Sequence, residues 1–193
     1  MKQQFTGVPL IVALVLGARL VHAQDVPPPP PPKKDDGPSI EDTMKFIEEK
    51  LTSVGKLNFI VYIHDNKAGS DWTNSRTIEI DKVYASPAFC RLDYHISAVR
   101  DGESLTNGDS SFHLKTVQEI DVLPFEQWAK EGDAKAGHPE WTSRVDPPIF
   151  LVNVQLKTGG QQFFFPKEAL ANRVAAALNH AVELCGGGSK EPF

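Results

Sequence analysis

The chain of 193 residues carries 20 Lys and Arg against 25 Asp and Glu, with 40% hydrophobic residues, 11 Phe, 15 Pro and two Cys. That length suits one domain with appendages and excludes a large multidomain enzyme, while the apolar and aromatic content excludes wholesale disorder. The acidic balance excludes a dedicated nucleic-acid binder, whose affinity rests on neutralising phosphates with Lys and Arg, and two cysteines cannot build a disulfide-dense scaffold or a four-thiolate zinc site.

Residues 1–23 read as a secretory signal peptide. Lys2 gives a positive start, Gly7 to Gly17 form an apolar core, and Val21-His22-Ala23 predict cleavage before Gln24. The uncharged run is far short of the roughly 20 residues a membrane span needs, so no transmembrane segment is expected after cleavage. The address is therefore periplasmic or extracellular. Cleavage removes Lys2 and Arg19 and no acid, taking the formal charge from −5 to −7. Residues 24–38 follow as a proline-rich linker. Pro27 to Pro32 lack amide hydrogens and fix φ, which favours an extended polyproline II rod in an otherwise disordered leader. As a docking peptide the same rod would suit an aromatic-lined groove.

The globular domain is expected over 39–187, with a disordered tail at 188–193. Ser39 is placed to cap a helix over 40–54, in which Ile40, Met44, Ile47, Leu51 and Val54 recur at helical spacing before Gly55. Leu57 to His64 then alternates as a strand, and Asp65 to Asn74 has turn chemistry. Thr77 to Tyr84 and Phe89 to Val99 alternate again, the latter with Cys90, Leu92, Tyr94 and Ile96 on one face. Asp101-Gly102 and Asn107-Gly108 are expected to bracket a connection. Phe112 to Val122 follows as a strand whose shifting apolar parity predicts a bulge or bend.

Between Pro124 and Pro148 the spacing of Phe125 and Trp128 fits one helical turn and predicts a short helix from Phe125 to Glu131. Ile149 to Lys157 and Gln162 to Phe165 flank a Gly159-Gly160 hairpin signal. Pro166 suits a first helical position, and Leu170, Val174, Leu178, Ala181, Val182 and Cys185 form one stripe ended by Gly186 to Gly188. Helix, six or seven consecutive strands and helix define an α+β, mainly β class. The expected architecture is an antiparallel curled sheet or small barrel, with an N-terminal helix and a C-terminal capping helix.

Cys90 and Cys185 both lie on apolar faces, and an exported chain meets an oxidising compartment. Two buried free thiols are the alternative, but the single possible pairing favours a disulfide. Among titratable groups, Asp93 and His95 share a strand face two positions apart, as a base and its orienter would, and His64 adjoins Asp65. The Asp93/His95 face is also the one expected in solvent, where such pairs are ordinary hydrophilic surface. No nucleophile-elbow, zincin, phosphate-loop or dinucleotide motif occurs, and Asp65 to Asp71 misses calcium-loop spacing. No cofactor, metal or catalytic residue is assigned. Trp72, Trp128 and Trp141 fall in predicted loops, where they either line a ligand or partner groove or cover a barrel end.

The ending Phe163-Phe164-Phe165-Pro166-Lys167-Glu168-Ala169-Leu170, continuing through Cys185-Gly186-Gly187, resembles exported bacterial proteins of uncharacterised function with a pleckstrin-homology-like fold. The resemblance implies a phenylalanine-rich last strand leading into a helix that plugs the barrel. Lys56, Lys67 and Arg76 are scattered among Asp65, Asp71 and Glu79, so the clustered bases that bind phosphoinositides in that fold are not matched. The expectation is an exported binding or scaffold module with a protein partner. The alternatives are a carrier of a small apolar ligand, or a hydrolase using the His and Asp candidates.

Overall fold

The computed structural model describes residues 37–188. The expected signal peptide, residues 24–36 of the proline-rich segment and the tail 189–193 lie outside the described residues. Gly37 and Pro38, placed by sequence in the linker, are described, and the Pro38 carbonyl lies 2.9 Å from Nε2 of His180 on the last helix.

Helix α1 (Ile40–Val54) begins where Ser39 Oγ accepts the Asp42 amide at 3.1 Å and ends at Gly55, whose φ of 60° suits a residue without Cβ. Met44, Ile47 and Leu51 are its buried stripe. Strands β1 (Lys56–Asp65), β2 (Ser70–Ser86), β3 (Arg91–Arg100) and β4 (Glu103–His113) form an antiparallel meander. A 3-10 turn (Leu114–Thr116) breaks the chain away into β5 (Val117–Pro124), where Gln118 is an extra residue against its partner strand. This is the bend expected from the parity shift. Helix α2 (Phe125–Lys135), strands β6 (Trp141–Asp146), β7 (Phe150–Leu156) and β8 (Gly160–Phe165), and helix α3 (Glu168–Leu184) complete the order.

The eight strands make two antiparallel sheets, β4-β3-β2-β1-β6 and β5-β7-β8, and these do not close into a barrel. The closed-barrel alternative is thereby corrected: β6 returns to pair with β1 and leaves the five-stranded sheet with two free edges. Several boundaries also move. Ser70 to Asn74 is strand rather than turn, because β2 continues far enough to pair with the end of β1. Asn107 and Gly108 lie within β4 opposite Ser97 and Ile96, not in a connection. Lys167 caps α3, so Pro166 precedes the helix instead of opening it.

The core has two clusters. The larger joins α1 and α3 to Ile80, Leu92, Tyr94, Phe112, Val152, Phe163 and Phe165. The smaller gathers Phe59, Val61 and Ile78 with Phe125, Val145, Ile149, Leu151 and Phe164. Cys90 sits in the turn before β3, with φ of 48°, rather than on the strand face. It is nevertheless bonded to Cys185 at the end of α3, across a sequence separation of 95 residues. Gly186 and Gly187 close α3 there, and a Cβ on Gly187 would stand 2.6 Å from the Leu114 carbonyl oxygen.

Candidate functional site

Strict alternation along β1 sends Phe59, Val61 and Ile63 toward the core and Ile60, Tyr62 and His64 to the opposite face. Register then sets the neighbours of the outward residues. Thr73 and Arg144 flank Tyr62, while Asp71 and Thr142 flank His64. The Arg144 guanidinium lies 4.3 Å from the Tyr62 ring centroid, and His64 Nδ1 lies 2.8 Å from Asp71 Oδ1. Together they line an open depression of about 580 Å³. Among the described residues the apolar stripes of α1, α2 and α3 pack on the other side of the sheet and leave this face uncovered. Such half-exposed pairs add little to stability; their effect is to fix the shape and charge of a surface.

At the same end of the sheet, Asp65 Oδ1 accepts the amides of Lys67 and Ala68, both at 2.8 Å, and Oδ2 accepts Trp141 Nε1–H at 3.3 Å. The Ala68 amide is the main cause that holds the Asp65 carboxyl below its ordinary range. Trp72 meets Trp141 edge-on at 5.0 Å between centroids, and His138 stacks on Trp141 at 3.9 Å. Asp65, Trp72 and Trp141, chosen from separate stretches of sequence, thus converge on the core-side face, while the neighbouring His64 stands on the opposite one. The three tryptophans are not in loops, however: Trp72 is on β2, Trp128 on α2 and Trp141 opens β6.

The other polar candidates stand apart. Asp93 accepts Arg91 Nε–H at 2.9 Å, while His95 Nδ1 pairs with Asp81 at 2.8 Å, so the two do not act on each other. Ten residues of β2 separate Asp71 from Asp81, a distance on the order of 30 Å along a strand. His64 is paired with Asp71 rather than with Asp65. Among the described residues no group of three or more His, Cys, Asp or Glu gathers to hold a metal ion.

Beneath α2, on the core side of the same sheet, sequence reasoning missed two residues. Arg76 projects from β2 and Asp133 from α2 into a cleft of about 150 Å³ that Trp128 also lines. Burial, and secondarily Arg100, push the Arg76 guanidinium below its ordinary value; burial raises the Asp133 carboxyl, opposed by His138 and Arg76. Nothing in the sequence signalled this, since Arg76 lies at a core-facing parity that periodicity assigns to an apolar residue. Comparison with family profiles, with curated proteins and with solved structures finds no match to this chain.

Proposed function

We propose that the protein is an exported binding or scaffold module of the cell envelope or secretome that holds a protein partner on the uncovered face of its five-stranded sheet. The observation that carries this reading is the open depression around Tyr62, His64, Asp71 and Arg144, on a face that no helix of the described residues covers. Arg144 has no carboxylate partner among the described residues and is free to meet an acidic group, while Tyr62 and the exposed Ile60 offer apolar area beside it. The disulfide, and the lack among the described residues of any helix long and apolar enough to cross a membrane, are compatible with export. The pleckstrin-homology-like reading is supported by Phe163 to Phe165 leading directly into α3. A carrier of a small apolar ligand needs a void of roughly 300 Å³ or more, and the cleft under α2, at about 150 Å³ with Arg76 and Asp133 in its lining, does not favour that alternative.

The test is site-specific photocrosslinking in the exporting cell from position 73, beside the depression, and from exposed position 155 on β7. One partner captured from 73, absent from 155 and lost in the Tyr62→Ala/Arg144→Ala double variant supports the proposal. Equal capture from both positions, or capture indifferent to the double substitution, overturns it.

A further inference from the structure

Helix α2 crosses the core side of the five-stranded sheet without filling the space below it. The walls of the cleft are apolar, made by Val61, Ile63, Phe125 and Trp128. Two opposite charges nevertheless enter. Arg76 Nε–H donates to Asn74 Oδ1 at 3.0 Å, which fixes the plane of the guanidinium and leaves its terminal amino fork without a hydrogen bond to any described residue. No ion pair joins Arg76 to Asp133, or to any other carboxylate among the described residues. The residue opposite Arg76 on β3 is Arg100, a like charge, while Asp101 and Asp133 attract the guanidinium from beyond ion-pair distance and the Phe125 ring centroid lies 5.9 Å from it. Half-buried charges held apart over an apolar floor are costly unless something satisfies both. Gly132, on the rim of the cleft, is exposed, and nothing lies within 4 Å of the position a Cβ would take.

We propose that the cleft beneath α2 binds a free α-amino acid with a small apolar side chain, its carboxylate on the Arg76 fork, its ammonium at Asp133 and its side chain against Phe125 and Trp128. A simple anion would meet Arg76 but face Asp133, and a simple cation would meet the reverse; a zwitterion satisfies both at once. The planar guanidinium fork matches a carboxylate in bidentate geometry. A space of about 150 Å³ admits a small amino acid and excludes a lipid or a sugar chain. This site lies on the opposite side of the sheet from the uncovered face and stands independently of the partner proposed there.

The experiment is a titration of the disulfide-bonded full chain with alanine, valine and leucine, followed through backbone amide shifts, alongside two single-charge analogues of valine, isovalerate and isobutylamine. Saturable shifts at Ile63, Gly132 and Ser143 are expected with at least one of the amino acids. Each analogue should bind at least about tenfold more weakly than valine, or not at all. Arg76→Met, which removes the carboxylate's partner, should weaken binding about tenfold or more. The analogue comparison on the unaltered chain decides the matter even if a variant fails to fold. The proposal is overturned by no saturable shift with any of the three amino acids, by isovalerate or isobutylamine binding as well as valine, or by undiminished binding to a folded Arg76→Met variant.

Discussion

The two halves of the core are built differently. Around α1 and α3, 21 buried residues form one cluster, closed by the Cys90–Cys185 bond and by glycines that let the end of α3 touch the 3-10 turn. Around α2 there are eight, and Asn74, Arg76 and Asp133 interrupt them. The first half is cross-linked and mostly apolar, with Thr43 and Ser86 the polar residues buried beside it. The second tolerates half-buried charge and an unfilled cleft, features that cost stability. The uncovered face borders the second half, with Tyr62 and His64 on the same strand as Val61 and Ile63.

The largest expected effect of breaking this contrast is at the disulfide. Chain entropy for a span of 95 residues gives about 4–5 kcal/mol, so urea unfolding of the Cys90→Ala/Cys185→Ala variant should show a loss of about 3–5 kcal/mol. Next, Phe163→Ala in the larger cluster should cost about 3–5 kcal/mol, and Trp128→Ala under α2 less than half as much. Equal losses would erase the distinction. Gly187→Ala should cost about 1–3 kcal/mol, because the carbonyl it would strike belongs to backbone that cannot swing aside.

The smallest effect is one of pH. Burial raises the Asp133 carboxyl, so the folded chain retains a proton the unfolded chain has released, and stability falls as pH rises from the ordinary value of 3.8 through the folded-state value. Asp133→Asn should therefore be slightly more stable than the parent at neutral pH, and the two should converge in acid below 3.8. Thermal melts across that range check the sign.

What the sequence made legible follows burial. The limits of α1, the stripe of α3 and the core face of β1 were readable because their apolar periods are complete. Strand β6 was not, since Trp141 to Asp146 buries only Val145 and carries polar residues on both faces. The start of β2 looked like a turn for the same reason, and Asn107-Gly108 survives inside β4 because that edge strand is almost wholly exposed. Lys82, at φ of 48°, marks an extra residue that shifts the parity of β2 between Asp81 and Tyr84. The site is legible in part: residue type and position single out His64, Asp65, Trp72 and Trp141, but the meeting of Asp65 and Trp72 with Trp141 depends on β6 returning to β1. The Arg76 and Asp133 pair depends on α2 crossing the sheet, which no local pattern encodes.

Native-state hydrogen exchange on the oxidised chain tests the division most directly. Amides of β7, β8 and α3 should exchange only through global unfolding, and those of α2 and β6 should open earlier, with a smaller free energy and a weaker response to denaturant. A single common opening free energy for both halves, or α2 outlasting α3, would contradict it.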